Sequence, residues 1–263
     1  MPAVPVSVVI ICFNAAATIQ QTLASAYLLS DDVIVVDSGS TDNTLALVRN
    51  TGATLLHADW QGFGINKNKG NKEAKNDWIL SIDADEELSE KLIAAISSAD
   101  LSNNNVVYRV ERINYLSDKR IYFGEWRNDW TTRLFNRNSV CWDDARVHET
   151  LILPQSVQVK KLPGYLHHYT SPNIDAYNQK LDKYASLVAE KYFTKGEKGI
   201  GYKIYFSPLF SFCKYYIFHA GWLDKKAGWQ IAIAHAKYTF KKYKKVAELR
   251  YEYKSKQNKK PAL

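Results

Sequence analysis

Three short apolar runs, Val6 to Ile11, Val33 to Val36 and Trp78 to Ile82, recur through the first third of the chain, and polar residues follow them at Asn14, Asp37 and Asp83. Runs of this length rich in β-branched residues are too short to span a membrane and read as strands covered on both faces. Helical patterns lie between them. After Asn14, small residues lead to Thr18 and a helix through Ala26, with Ile19, Leu23 and Ala26 on one face. Asp42 is placed to cap a helix over 43–50, a short strand follows near Thr54 to His57, and Gly62 to Lys75 reads as a further helix. Strands alternating with helices at this interval specify an α/β sheet, whose ligands gather at the carboxyl ends of the strands.

Beyond about residue 105 the alternation stops. Val106 to Val110 reads as a strand, a Trp- and Arg-rich stretch follows, and Ile174, Tyr177, Leu181, Tyr184 and Val188 predict an amphipathic helix over 174–193. The 263 residues, 46% of them hydrophobic, suffice to bury a sizeable core. No basic residue precedes Val6 and no small-residue cleavage site follows Phe13, so export by a cleaved signal is not expected. Cys12, Cys141 and Cys213 form neither a disulfide framework nor a zinc spacing, which fits a reducing compartment.

The net charge of +8 belongs to the tail: from Lys237 onward there are ten Lys/Arg and two Asp/Glu, 10 − 2 = +8, so residues 1–236 are neutral. A nucleic-acid-binding main domain would need a basic face, and none is implied.

Asp37, Asp83 and Asp85 fall just past the carboxyl ends of predicted neighbouring strands. Acids spaced by one residue offer oxygens to a hard ion such as Mg²⁺ or Mn²⁺, with waters and substrate phosphates completing the coordination. The implied ligand is a diphosphate. Taken singly, Asp83 and Asp85 also fit a turn and helix cap before Glu86, Glu87 and Leu88, and Asp37 a strand end before a capping loop. Neither GxGxxG nor GxxxxGK[ST] occurs, so metal and lysine must carry phosphate recognition.

The apolar first strand leading to Asn14, the loop DSGSTDNT from Asp37 to Thr44, the segment Lys67, Asn68, Lys69, Gly70, and Asp83, Ala84, Asp85 after the next strand together resemble glycosyltransferase family 2. The resemblance covers residues 1–170 well, and the whole chain is similar to the branch that contains lipopolysaccharide core β-1,4-glucosyltransferases. It implies a GT-A fold (a Rossmann-like α/β domain), inverting transfer and a nucleotide-diphosphate sugar, usually a UDP-sugar. By position it implies that Asp37 contacts the base or ribose. Lys67, where the family often has arginine, would neutralise phosphate or touch the base. Asp83 would orient the ribose or a metal-bound water, Asp85 would ligate the metal, and Phe13 and Asn14 would line the nucleotide pocket, although Phe13 fits a core position equally well. The domain division implied is a GT-A catalytic domain over 1–170, with a nucleotide-sugar part to 105 and an acceptor-side part over 106–170, followed by a basic helical extension over 171–263.

With a cation on the departing diphosphate, transfer needs one general base for the acceptor hydroxyl. The family's Glu-Asp motif is not matched. The candidates in its window are Glu149, preferred, with His148 as a neighbour that orients it, and Asp144; a structural pairing of His148 with Glu149 at a strand edge is the plain alternative. His167 and His168 stand where some GT-A enzymes bring a histidine to the metal, or serve as hydrogen-bonded structural residues. Trp126, Arg127, Trp130 and Arg133 either shape an acceptor site or pack.

From Tyr202 to Leu223 the chain is aromatic-rich but broken by Lys203, Pro208, Lys214 and His219, a poor transmembrane helix that suits a membrane interface. Beyond it, Trp229, Ile233, Ala236, Phe240, Tyr243 and Ala247 share one helical face with Lys237, Lys241, Lys242, Lys244 and Lys245 largely off it, a pattern that either lies on anionic lipid or docks on the protein. The expectation is a peripheral enzyme at the cytoplasmic face of the inner membrane. Its acceptor would be a lipid-linked saccharide such as lipopolysaccharide inner core, and nucleic acid is not a partner. The rivals are a transferase to polyprenyl phosphate or peptide, or a noncatalytic nucleotide-sugar- or lipid-binding protein on the same fold.

Overall fold

The β-branched runs form strands β1 (Val6–Cys12), β2 (Val33–Asp37) and β4 (Trp78–Asp83), which join β3 (Thr54–His57) in a parallel sheet of order β3-β2-β1-β4. The computed structural model describes residues 4–144, 149–196, 198 and 200–258. The chain packs into two units, Met1–Ile113 with Asn128–Tyr169, and Asn114–Arg127 with Thr170–Leu263.

In the first unit, helices α1 (Ile19–Tyr27), α2 (Thr44–Arg49) and α3 (Phe63–Glu73) connect the parallel strands, and α4 (Glu90–Ser97) follows β5 (Glu86–Leu88). The sheet then turns antiparallel: β8 (Asp129–Asn136) pairs with β4 and with β6 (Val106–Leu116), and β11 (Gln158–Ser171) pairs with β5. A two-stranded ribbon, β9 (Cys141–Trp142) with β10 (Leu151–Ile152), stands apart. This is the mixed α/β, GT-A-type architecture that the resemblance implied.

The sheet is buried on both faces because side chains alternate along each strand. Val8, Ile10, Val33, Val35, Leu80 and Ile82 pack one way with Ile19 and Leu23 of α1 and Leu92 and Ile96 of α4. Val9, Ile11, Ile34, Val36 and Ile79 face the other way with Phe135 and Trp142. Gly70 lets α3 lie tight on this second face: a Cβ there would come 2.5 Å from Val9 and 2.7 Å from Val36. The register fixes the working edge, since Cys12 stands opposite Asp37 and Ile11 opposite Asp83.

In the second unit, β7 (Lys119–Arg120) pairs with the end of β6. Then come α5 (Ile174–Thr194), α6 (Ile200–Phe212), a π-helical turn (Cys213–Phe218), a 3-10 turn (Gly221–Asp224) and α7 (Lys225–Asn258). The helix expected over 174–193 is α5, capped by Asn173, whose side chain accepts from the Ala176 amide at 2.8 Å. The basic helix forms too, and in its first half the side packed on the protein is not the aromatic face singled out from the sequence, so the alternative in which that face docks on the protein does not hold there. Ala227, Ile231 and Ala234 pack with Trp126, Tyr177 and Leu181, while Trp229 and Phe240 remain 46% and 39% exposed. Small side chains allow close helix approach, and the aromatic face is too bulky for that contact. Among the described residues no helix is long and apolar enough to cross a membrane.

Candidate active site

Everything at the candidate site belongs to the first unit and sits at the carboxyl ends of β1, β2 and β4. Asp37, fully buried at the end of β2, accepts backbone hydrogen bonds from Gly39 at 2.8 Å and Ser40 at 3.0 Å and a hydroxyl bond from Ser40 at 2.5 Å. Burial alone would raise this carboxyl, but the hydrogen bonds led by the Ser40 hydroxyl outweigh it and hold the group below its ordinary value. Asn14 adopts φ 50°, which asparagine tolerates well, and its Oδ1 accepts from the Thr41 amide at 2.8 Å while its own amide donates to Ser40 Oγ at 2.8 Å. Asn14 thereby ties the end of β1 to the loop after β2. Asp42 accepts from the Thr44 amide at 3.0 Å, one position before the residue that formally caps α2. Phe13 stands 60% exposed at this edge, outside the core.

Lys67, expected at the site, is almost wholly buried: a lysine 2% exposed on α3. Its ammonium lies 2.7 Å from Glu149 Oε1, 3.4 Å from Asp83 Oδ1, and 4.5 Å from the centroid of the Trp142 ring. Two neighbours on the same helix seat the loop that carries Glu149. Asn68 clamps the Trp142 backbone, donating to its carbonyl at 2.8 Å and accepting from its amide at 3.1 Å. Gly64 lets the Asp143 carbonyl approach so closely that a Cβ would fall 1.9 Å from it.

Asp83 is held from its other side by Arg133, at 2.8 Å, and Arg133 also pairs with the fully buried Glu86. Glu86 in turn accepts from the Asp83 amide at 3.1 Å and meets Arg112 at 3.3 Å, and Arg112 reaches Asp129 at 2.8 Å. Burial would raise the Asp83 carboxyl, but Arg133 first and then Lys67 outweigh it and keep it well below the carboxylate range; burial would lower Arg133, but Asp83 and Glu86 push it up instead. A buried carboxylate and guanidinium survive here because each neutralises the other's charge.

Asp85 lies just beyond β4, 3.5 Å from His168 Nε2. The ladder of β5 with β11 brings this about, since His168 pairs in register with Glu86 and the Tyr169 amide donates to the Asp85 carbonyl at 2.9 Å. His167, one position along, faces the opposite side of the strand.

The structure thus brings Asp37, Lys67, Asp83, Asp85 and Glu149 to one edge. Asp144 is exposed on the bend after β9, and its neighbour Asp143 accepts from Thr150 Oγ1 at 2.9 Å, a loop clamp. His148 lies outside the described residues. Arg133 belongs to the carboxylate network, whereas Trp126 packs edge-on against Tyr177 at 5.2 Å and Lys161 lies 4.2 Å over the Trp130 ring. Sequence reasoning missed Glu86 and Asn68 as organisers of the site. Glu86 carried a weak signal, an acid one residue past a pair of acids, while nothing in the order of residues paired Asn68 with Trp142.

As a cation site, the geometry supplies Asp85 with His168 beside it, and Asp83, whose buried Oδ1 accepts no hydrogen bond among the described residues and faces Lys67. No group of three or more His, Cys, Asp and Glu residues suited to a metal occurs among the described residues. Asp85 and His168 together offer one oxygen and one nitrogen donor; with Asp83, diphosphate and water left to complete the coordination, they fit an ion that binds together with its substrate phosphates.

The model of glycosyl transferase family 2 matches residues 7–150. An uncharacterized glycosyltransferase of Rickettsia bellii is 30% identical over 81% of this chain and 78% of its own length. The lipopolysaccharide core biosynthesis glycosyltransferase LpsC of Rhizobium meliloti is 28% identical over 91% of both chains. Among solved structures, S. aureus TarS aligns over 68% of this chain and 39% of its own, at 16% identity and TM-score 0.43. Glucosyl-3-phosphoglycerate synthase of Mycobacterium tuberculosis aligns over 41% of this chain and 43% of its own, less than half its length, at 24% identity and TM-score 0.36.

Proposed function

This chain belongs to glycosyl transferase family 2, and we propose that it moves a hexose, glucose by preference, from a UDP-sugar to a lipid-linked saccharide such as lipopolysaccharide inner core, with inversion at the anomeric carbon. The acceptor rests on the likeness to LpsC, which extends over 91% of this chain. The observation that carries the catalytic reading is the buried Lys67 ammonium bridging Asp83 and Glu149. A cation, an acid and a candidate base then share one edge of the sheet.

Asp37 is held ionised by its loop and, fully buried as it stands, would meet a ribose hydroxyl or a base edge by exchanging the Ser40 hydroxyl for it. Asp85, with His168 at its side, would hold Mg²⁺ or Mn²⁺ together with Asp83. When bound, the ion stabilises the negative charge that grows on the departing diphosphate. Lys67 is the second cation for that charge, already desolvated and therefore effective. Glu149 takes the proton of the acceptor hydroxyl as it attacks from the face opposite the leaving group. In this reading donor phosphate competes with Glu149 for Lys67, so donor binding frees the base.

Titration calorimetry of UDP and GDP, each with and without Mn²⁺, into the wild type and Asp85→Ala tests the donor half. Metal-dependent UDP binding that the substitution abolishes is expected. Absence of binding by either nucleotide in every condition would remove the donor-site assignment.

A further inference from the structure

The second unit carries a bare aromatic face that the active site does not use. On α6, Tyr202, Tyr205, Phe206, Leu209 and Phe210 recur at helical spacing and cover a stripe of about 140° at 100° per residue. Tyr205 is 73% exposed and Phe206 67%. The face continues through Ile217 and Phe218 of the π-helical turn, the latter 76% exposed, and through the exposed Trp222 and Leu223 of the 3-10 turn. Trp229 at the start of α7 joins it, edge-on to Phe212 at 5.3 Å and to Tyr216 at 5.2 Å. The opposite side of α6 is already committed, because Ile200 and Ile204 pack with Ala189 and Val246. The helix is therefore apolar on two faces and covered on one.

We infer that this face, from Tyr202 to Trp229, seats the protein in the interface of an anionic bilayer. Charge argues for lipid over a second protein chain. Between residues 200 and 229 the charged side chains are Lys203, Lys214, Lys225, Lys226 and Asp224. Asp224 is turned inward, buried, and accepts from the Tyr122 and Phe123 amides at 3.1 and 2.8 Å. The outward charge of this segment is thus entirely positive. Tyrosine and tryptophan beside lysine suit the headgroup level, where a ring is half buried and a polar tip stays wet. The basic helix α7 is less available, since Lys241 pairs with Asp182 at 2.6 Å and Lys242 stacks on Tyr192, Tyr238 and Tyr243.

The inference shares with the proposed function only the membrane location of the acceptor, and its test uses no donor or acceptor, so either can fail alone. Full-length protein is co-sedimented with phosphatidylglycerol–phosphatidylcholine vesicles and with pure phosphatidylcholine vesicles. The variants are Tyr205→Ser/Phe206→Ser/Phe210→Ser, and Tyr251→Ser as a control on an exposed aromatic of α7; thermal unfolding and far-ultraviolet circular dichroism verify that each is folded. Binding that requires the anionic lipid, falls more than about tenfold in the triple variant and persists in the control is expected, because buried aromatic area and surface charge act together. Equal sedimentation of triple variant and wild type would overturn the assignment. So would a wild type that ignores both vesicles and is dimeric by light scattering while the triple variant is monomeric, which would make the face a protein interface.

Discussion

Lys67 and Glu149 stand 82 positions apart in the chain and meet in a 2.7 Å ion pair over the end of the parallel sheet. The pair exists because three features of α3 cooperate. Gly64 admits the Asp143 backbone, Asn68 grips Trp142, and Lys67, almost wholly desolvated, finds its charge partners in the loop so captured and in Asp83.

Replacing Glu149 by Gln keeps the shape and a hydrogen-bond acceptor for Lys67 while removing the base. UDP binding is expected to stay within about threefold and turnover to fall by about 10²–10⁴, the usual worth of a positioned base. Calorimetry and release of UDP in a transfer assay read the two effects separately; normal turnover would exclude Glu149 from the role.

Arg133→Leu should be among the most damaging substitutions in the first unit. It strips Asp83 and the fully buried Glu86 of a guanidinium that is itself only 3% exposed, and breaking a buried ion pair costs about 3–5 kcal/mol. Urea unfolding measures the loss. The double variant Arg133→Leu/Glu86→Leu should recover part of it, because the stranded charge goes too.

Acid stability should report on Asp37. Its folded carboxyl lies below its ordinary value, so its contribution is present above the unfolded value, about 3.9, and is lost as pH falls through the lower folded one. Ser40→Ala removes the strongest of the hydrogen bonds that oppose burial and raises the folded value. The stability gap between wild type and variant, from unfolding curves at neutral and acid pH, should therefore narrow in acid; a constant gap would show that the Ser40 bond does not favour the ionised form.

Gly64→Ala should gain up to about 1 kcal/mol of helix propensity yet disturb the site. The added Cβ falls 1.9 Å from a backbone oxygen, which cannot rotate away as a side chain would. The loop carrying Glu149 must shift, and turnover should drop about tenfold or more with UDP binding largely kept, since displacements of about an ångström carry such costs. Unchanged turnover would show that the loop accommodates the methyl without moving Glu149.

The sequence alone determined the parallel sheet and its working edge. Val6–Cys12, Val33–Asp37 and Trp78–Asp83 are strands because their β-branched, two-faced burial leaves few alternatives, and the acids that end them must share one edge once the strands are parallel. Asp37, Asp83 and Asp85 were legible for that reason, and so was α5, whose spacing is unambiguous. What only the tertiary structure decided depends on pairings between distant segments. The antiparallel ladder of β5 with β11 carries His168 to Asp85, and Arg133 reaches Asp83 because β8 lies against β4. The buried face of α7 was likewise undecided, because that helix offers an aromatic stripe and a small-residue stripe on opposite sides, and only the close approach of α5 selects the second. Periodicity records which residues share a face, but the partner that covers the face is a property of the folded chain.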